Sequence, residues 1–290
     1  MNNMSVCLWF NTEAQEAMDL YKATFSGAEI GNTSRYGKAG AEISGQKVGA
    51  PMMVPGKIGN LKVLALNGGP MYKFTPSFSL TAHCADEKDA ERVWKMLSPG
   101  GTVRMELGKY PWSPKYGWTS DKYGVEWQIT TMESQDQIVP SLLFVDELFG
   151  RGDEALKHYT SIFKESKIDM VANDEKTKTI MYSGFHLNGQ AFSLMEGQGQ
   201  HGHKFSEATS ITVTCKDQTE IDYYWDKLVV GGSEQRCGWL KDKFGVSWQI
   251  VPEEMGKIMS SAANGEKVMQ AMFGMKRLDI AKLKAAAVST

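Results

Sequence analysis

The sequence predicts an α+β protein that consists of two tandem copies of one domain. Two observations carry this prediction: three blocks of sequence recur in the same order, and the periodicity within each copy alternates between strands and helices. The length of 290 residues agrees with two domains of roughly 150 residues each. We predict a first domain over residues 1–134 and a second over residues 135–290, the second ending in a helical tail.

The three repeated blocks fix the correspondence between the copies. GWTSDKYGVEWQI, residues 117–129, matches GWLKDKFGVSWQI, residues 238–250, at nine of thirteen positions. Further upstream, KFTPSFSLTAHCAD matches KFSEATSITVTCKD, and EAMDLYKATF matches EALKHYTSIF. Tryptophans repeated in both copies are expected to lie mostly in the core, because both copies need the same packing.

Each copy is predicted to contain two strand-helix-strand-strand-strand units. In the first copy a strand covers residues 5–10, and Thr12 with Gln15 is typical of a capping box that opens a helix. Strands are predicted around residues 29–35 and 63–66. The second helix of each copy is expected to begin after an aspartate N-cap, Asp86 in the first copy and Asp217 in the second.

Strict alternation predicts the strand at residues 78–84. Its apolar face carries Phe78, Leu80, Ala82 and Cys84, and its polar face carries Ser79, Thr81 and His83. The second copy repeats the pattern, with Ser210, Thr212 and Thr214 on the polar face.

The copies differ in three places. The first copy carries a longer arm, TVRMELGKYPWSPKY, where the second has only SEQRC; we predict an extra hairpin or lid there, with Trp112 either facing a ligand or an interface, or simply packed. The second copy has an insertion around residues 147–152. Its methionine-rich tail after Pro252 predicts either a partner-binding face or docking on its own domain.

The charge balance narrows the range of partners. Thirty-two basic and 34 acidic side chains give a net charge of −2, which predicts no binding to nucleic acid or to an anionic membrane. No apolar stretch approaches the roughly 18 residues of a membrane span, and the first residues lack the basic region of a signal peptide. We expect a cytoplasmic protein with free cysteine thiols.

The repeated unit and the closing GW-x-x-D-K-[YF]-G-V-x-W-Q-I motif, with Leu8-Trp9-Phe10 and Asn67-Gly68-Gly69-Pro70, resemble the PhnB-like branch of the vicinal oxygen chelate superfamily. That superfamily includes glyoxalase I, extradiol dioxygenases and bleomycin-resistance proteins. CGWLKDKFGVSWQIVP also resembles domains labelled 3-demethylubiquinone-9 3-methyltransferase-like. The resemblance implies tandem glyoxalase-like domains, each built from two βαβββ units.

A methyltransferase of the usual kind needs a glycine-rich loop between a strand and a helix. The G-x-G-x-x-G match at Gly197, Gly199 and Gly202 leads instead toward the strand predicted at residues 210–215. We therefore interpret it as a connector and do not expect methyltransferase activity.

The resemblance also implies a divalent metal on the concave face of each sheet, held by His, Gln and Glu side chains. The corresponding positions fall on Gln128, Gln249, Ser79 and Ser210, and near Val6 and Pro140 or Ser141. This set predicts an incomplete metal site and no cofactor, with a divalent metal as the alternative. A second possible ligand cluster is His186, Glu196, His201 and His203.

Alternation places Glu126 and Gln128 on one face of the last strand. If this face and the polar face of His83 line one concavity, these three residues are the catalytic candidates, with His83 and Glu126 doing acid–base work. The alternative is that His83 and Glu126 are wall and surface residues. The ligand-binding candidates are Ser79, Thr81, Trp112, Ser210, Thr212 and Gln249.

The function predicted from these residues is small-molecule binding without a complete metal site. The alternative is a metal-dependent or acid–base lyase, isomerase or dioxygenase that acts on a small oxygenated substrate. A third interpretation is that the tail and the Trp112 arm form a surface for assembly with other proteins. The sequence leaves open whether the protein forms a homodimer.

Overall fold

The computed structural model describes residues 3–132, 137–260 and 265–288. The first two units of the chain form β1 (Met4–Phe10), α1 (Ala14–Thr24), β2 (Glu29–Ile30), β3 (Ser34–Arg35), α2 (Lys38–Ser44), β4 (Pro51–Ile58), β5 (Leu61–Asn67), then β6 (Phe78–Cys84), α3 (Glu87–Leu97), β7 (Val103–Tyr110), β8 (Ser113–Ser120) and β9 (Glu126–Thr131). The predicted order of strands and helices is confirmed, with the short helix α2 added.

The last two units repeat this order. They form β10 (Ile138–Phe144), a 3₁₀ turn (Asp146–Leu148), α4 (Gly152–Ile162), β11 (Lys167–Asn173), β12 (Ile180–Leu187) and β13 (Gln190–Glu196), then β14 (Thr209–Cys215), α5 (Gln218–Leu228), β15 (Ser233–Glu234), β16 (Trp239–Lys241) and β17 (Ser247–Pro252). The tail forms α6 (Met255–Ser260), α7 (Gly265–Phe273) and α8 (Ile280–Val288). In the described ranges no helix combines the length and the apolarity needed to cross a membrane.

Two sheets contain all these strands, and each sheet combines both copies. Sheet A has the order β15-β16-β17-β14-β1-β5-β4-β2, with β3 paired to β4, and sheet B has the order β11-β12-β13-β10-β6-β9-β8-β7. The copies meet at two antiparallel pairs, β1 with β14 and β10 with β6. Each sheet therefore takes one half from either repeat, although the sequence boundary predicted between residues 134 and 135 lies outside the described residues.

Helices α1 and α5 contact sheet A, and α3 and α4 contact sheet B. The alternation predicted for β6 is confirmed, because its apolar face belongs to the hydrophobic core and its polar face points the other way. Trp127 and Trp248 are fully buried in this core, as expected of the repeated tryptophans.

In each copy the repeated Asp-Lys-aromatic-Gly turn contains a buried aspartate whose carboxylate accepts several hydrogen bonds. Asp242 accepts hydrogen bonds from the Tyr159 hydroxyl (2.8 Å) and the Trp248 indole (2.8 Å), and from two backbone amides of its own turn. Asp121 makes the same contacts with Tyr21 and Trp127. The turn therefore joins the last strand of a unit to the first helix of another, which is a packing role.

The predicted helix starts are only partly correct. Asp86 and Asp217 each accept a hydrogen bond from the backbone amide three residues ahead, as N-caps do. The predicted Thr12–Gln15 capping box is wrong: α1 has no cap of its own, and Asn67 Oδ1 accepts from the Ala14 amide instead (2.8 Å). A tertiary contact from β5 has replaced the local one.

The longer arm of the first copy forms the predicted hairpin, β7 and β8. The tail docks on its own chain: Val268 and Leu283 are fully buried, and methionines pack around them. Glu266 accepts hydrogen bonds from the backbone amides of Lys38 and Ala39, which anchors α7 to α2. The predicted docking on its own domain is met only in part, because the tail contacts Gln218 and Gly238 of its own copy and also α2 of the first copy.

Candidate functional site

Polar side chains line the side of each sheet that faces away from the helices. On sheet A we call this side face A; its central residues are Ser5, Cys7, Trp9, Ser210, Thr212, Ser247 and Gln249. On sheet B we call it face B; its central residues are Ser79, Thr81, His83, Glu126, Gln128, Ser141 and Ser193. Each face is built by strands from both copies.

A buried network of neutral groups crosses face B. The Ser141 hydroxyl lies 2.6 Å from that of Thr81 and 2.6 Å from that of Ser193. Gln128 donates from Nε2 to Ser79 Oγ (2.9 Å) and accepts at Oε1 from the Tyr116 hydroxyl (2.7 Å). These polar side chains thus satisfy one another inside the protein.

Glu126 lies at one end of this network in a buried ion pair. Its carboxylate accepts from Arg104 Nε (2.7 Å) and Nη2 (2.5 Å) and from Trp118 Nε1 (3.0 Å). Glu126 is 2% exposed, whereas the Arg104 side chain is 35% exposed. The hydrogen bonds to Glu126 raise the pKa of Arg104, which keeps the guanidinium charged. Arg104 could not be predicted as a partner of Glu126, since nothing in the spacing of β7 places it beside β9.

The structure does not bring His83 and Glu126 together. His83 lies opposite Thr130 in the β6–β9 register, and Thr130 is four residues beyond Glu126 on the same strand. At roughly 3.3 Å per residue this separation is about 13 Å. The partners of Glu126 are a guanidinium and an indole instead of an imidazole, so the predicted acid–base pair has no supporting geometry. Among the candidates on β6 and β9, Gln128 and Ser79 are in direct contact.

His203 is a residue of this region whose placement the sequence did not predict. Its Nδ1 lies 2.8 Å from Ser77 Oγ, at the start of β6. It lines a cavity of about 240 Å³ with Asp146 and Lys204 among the other walls. Burial lowers the pKa of His203, and the nearby charges of His201 and Arg104 lower it further, so the ring is neutral at pH 7.

The second predicted ligand cluster does not converge. The His186 ring lies 2.6 Å from Asp169, on the edge strand β11. Glu196 accepts from the backbone amides of Gly150, Gly152 and Ile180 on the helix side of sheet B. Within the described residues, no three His, Cys, Asp or Glu side chains are grouped so that they could hold a metal ion.

Face A repeats the amide–hydroxyl pair of face B. Gln249 donates from Nε2 to Ser210 Oγ at 2.9 Å, and the Cys7 thiol contacts both residues. Burial raises the pKa of Cys7 to about 11, so the thiol is neutral. The indoles of Trp9 and Trp239 meet edge to face, with centroids 5.9 Å apart, and form an aromatic wall.

The predicted metal positions carry the wrong donors. Val6 points into the core, so β1 offers Ser5 and Cys7 instead, and β10 offers Ser141. Together with Gln128, Gln249, Ser79 and Ser210, these are mainly neutral hydroxyl and amide groups, without an imidazole or carboxylate at the expected places. Such a set does not fit the divalent metal that the resemblance implies.

The predicted ligand-binding residues divide between the two faces. Ser79 and Thr81 lie on face B, and Ser210, Thr212 and Gln249 lie on face A. Trp112 is 61% exposed in the turn between β7 and β8. Its ring stacks on Tyr110 and meets the edge of Tyr116, the partner of Gln128. Trp112 therefore borders face B without entering it.

The glycine-rich connector joins the two sheets. It runs from the end of β13 to the start of β14 without a helix, as predicted. Ser206 donates to the Lys73 carbonyl (2.6 Å) and Thr75 donates to the Lys204 carbonyl (2.8 Å), so it is tied to the corresponding connector between β5 and β6.

This arrangement of paired βαβββ units is the glyoxalase-like fold. A mutant glyoxalase I from Zea mays aligns over 86% of this chain and 94% of its own with a TM-score of 0.55 at 12% identity, a likeness of fold alone. The family described as 3-demethylubiquinone-9 3-methyltransferase matches residues 2–130 and again residues 136–251. The chain belongs to this family.

One solved relative resembles a single copy. A putative 3-demethylubiquinone-9 3-methyltransferase, PhnB protein, from Bacillus cereus is 33% identical, and the alignment covers 44% of this chain and 98% of that one with a TM-score of 0.41. A comparison with curated proteins gave no match.

Proposed function

We propose that this protein binds a small organic molecule on the polar faces of its sheets and does so without a divalent metal. The observation that carries the proposal is the buried Gln–Ser pair at the centre of each face, Gln128 with Ser79 and Gln249 with Ser210. Neutral polar groups on a rigid sheet, next to aromatic walls, orient a ligand by hydrogen bonding while apolar contacts supply affinity.

The enzymatic alternative has weaker support in this geometry. A metal-dependent lyase, isomerase or dioxygenase needs several imidazole or carboxylate ligands around one point, and no such group of three occurs among the described residues. An acid–base mechanism through His83 and Glu126 needs contact between groups that lie about 13 Å apart along the sheet. Methyl transfer from S-adenosylmethionine, which the family description suggests, lacks the usual loop-to-helix site because residues 197–208 connect two strands without a helix.

The test combines elemental analysis of the purified protein with thermal unfolding in the presence of added compounds. The panel contains oxygenated aromatic and aliphatic compounds, S-adenosylmethionine, and the ions manganese, nickel, zinc and iron(II). A compound that binds only the folded protein stabilises it by about 2.7 kcal/mol at a hundred times its Kd. We expect stabilisation by at least one oxygenated compound, and none by S-adenosylmethionine or the metal ions.

The opposite result is equally clear. About one metal per chain, lost in Glu126→Ala and kept in the surface control Glu175→Ala, would overturn the proposal and favour the metal-dependent alternative. Stabilisation by S-adenosylmethionine alone would favour the methyltransferase.

A further inference from the structure

The two polar faces differ in how many of their hydrogen-bonding groups are satisfied. In the described ranges four buried side-chain polar atoms lack a hydrogen-bond partner: Thr131 Oγ1, His158 Nε2, Thr212 Oγ1 and Ser247 Oγ. Thr212 and Ser247 both lie on face A, and each is 1% exposed. His158 belongs to helix α4, and Thr131 alternates with Thr130 and so points away from face B.

The repeat makes a direct comparison possible. The β14–β17 register pairs Ser210 with Ser247 and Thr212 with Gln249, so the two unpartnered hydroxyls flank the Gln249–Ser210 hydrogen bond diagonally. On face B the place of Thr212 is taken by Thr81, whose hydroxyl contacts Ser141. The place of Ser247 is taken by Glu126, which pairs with Arg104.

Face B has thus saturated internally the groups that face A leaves open. A buried hydroxyl without a partner destabilises the folded protein, because it has lost its hydrogen bonds to water and has gained none in their place. Such groups in a native structure call for an explanation, and a bound polar group that completes their hydrogen bonds is a direct one.

The surroundings of these hydroxyls define the chemistry of the occupant. Cys7, beside Ser210, is a neutral thiol, and Lys241, opposite Ser247, is paired with Glu207 at 2.9 Å. The Trp9 indole N–H is already bonded to the Gly69 carbonyl (2.8 Å), so the aromatic wall offers an apolar surface. The centre of face A therefore suits an uncharged group.

We propose that face A is the binding site of this protein and that it takes an uncharged ligand with an apolar body and at least one hydroxyl or carbonyl group. Thr212 and Ser247 bind the polar group, and Trp9 and Trp239 pack against the body. This inference rests on the proposed function and adds which face acts and what class of ligand it takes.

The first experiment needs no ligand. Thr212→Val removes the unpartnered hydroxyl at nearly constant shape, and Thr81→Val makes the same change at the equivalent, partnered position. We expect the Tm of the free protein to rise by about 2 °C in Thr212→Val and to fall by a similar amount in Thr81→Val. A fall in both variants means that the Thr212 hydroxyl is already satisfied and overturns the inference.

The second experiment uses 2-naphthol as the probe, with tryptophan fluorescence as the readout. Its single hydroxyl and two rings represent the proposed class, and 2-naphthoate is the charged control. We expect Thr212→Val and Ser247→Ala each to weaken 2-naphthol binding about tenfold, Thr81→Val to leave it unchanged, and 2-naphthoate to bind at least tenfold more weakly than 2-naphthol.

Each other outcome has a distinct meaning. Loss of binding in Thr81→Val but not in Thr212→Val would move the ligand to face B, which overturns this inference and leaves the proposed function intact. Tighter binding of 2-naphthoate, or no binding of 2-naphthol to the unaltered protein, would overturn the ligand class. Failure of the proposed function itself appears separately, as bound metal in the elemental analysis.

Discussion

Glu126 shows how the partner of a side chain decides its role. Along the strand it shares a polar face with Gln128, a pattern that predicts a general base. In the folded protein its carboxylate is held by two Arg104 hydrogen bonds and one from Trp118. These three hydrogen bonds hold the carboxylate in one orientation, which supports a structural role in face B.

Glu126 is more deeply buried than Arg104, so removing Arg104 should destabilise the folded protein more than removing Glu126. Arg104→Ala leaves a 2% exposed carboxylate with only the Trp118 bond of its three, and we expect a loss of about 3 kcal/mol in the free energy of unfolding. Glu126→Ala leaves a guanidinium that can turn to solvent, and we expect a loss of about 1 kcal/mol. Urea unfolding measures both values.

The control for this comparison is Lys276→Ala, which breaks an exposed pair with Glu234 and should cost less than about 1 kcal/mol. An equal or larger effect of Glu126→Ala than of Arg104→Ala would contradict the account of the pair. It would point to an unpaired role of Glu126 and revive its candidacy as a functional carboxylate.

Among the elements, the tail and the β7–β8 hairpin distinguish the two halves of the molecule. The hairpin strands have eight residues each, whereas the matching strands β15 and β16 have two and three. The tail begins after β17, near one edge of sheet A, and its helix α7 contacts α2. Helix α2 follows β3, which pairs with β4 near the opposite edge of that sheet. The hairpin thus extends one edge of sheet B, whereas the tail adds three helices that reach α2.

The contact of the tail with α2 depends on one carboxylate. Glu266 accepts from the backbone amides of Lys38 (2.6 Å) and Ala39 (2.7 Å). In Glu266→Gln the side chain has a single, neutral oxygen to accept these hydrogen bonds. We therefore expect faster hydrogen exchange at these two amides and in α7, with exchange in β1 unchanged. Glu254→Gln, which breaks the surface pair with Lys284, is the matched control and should leave exchange in α2 as it was.

A methyl group at Gly37 provides an independent test of this contact. An added Cβ would lie 1.9 Å from Glu266 Oε1, so Gly37→Ala should displace the carboxylate and give the same exchange pattern. Unchanged protection of α2 in both variants would show that the apolar contacts of α7 hold the tail without Glu266.

At the scale of the whole molecule, the two copies depend on each other for their sheets. Strand β1 finds its antiparallel neighbour in β14, and β6 finds its neighbour in β10. A single copy would expose both of these central edges, which are lined by buried hydrophobic residues. Exposed central edges are templates for pairing with another chain.

We therefore expect the two copies, produced together as separate chains of residues 1–134 and 135–290, to associate into a one-to-one complex. Light scattering coupled to size exclusion measures its mass, and circular dichroism compares it with the intact chain. The first copy alone should form dimers or aggregates, since each of its two central edges remains unpaired. A folded, monomeric first copy would contradict the interleaved arrangement.

The fold is predictable from the sequence because repetition and periodicity are local signals. The alternation of Phe78 to Cys84, the aspartate N-caps and the closing motif each depend on neighbours within a few residues. The capping box at Thr12 failed for the same reason, since its replacement, Asn67, comes from a distant strand. The connector at residues 197–208 was recognised because its neighbours in sequence are strands.

The sequence by itself determined the two copies, the order of their strands and helices, the family and the polar character of both faces. Only the tertiary structure decided that both copies contribute to each sheet, that Arg104 pairs with Glu126, and that His83 lies far from Glu126. It also decided that the hydroxyls of Thr212 and Ser247 lack partners, whereas that of Thr81 has one. The physical reason is that periodicity assigns a side chain to a face, whereas strand register and long-range packing assign its partner.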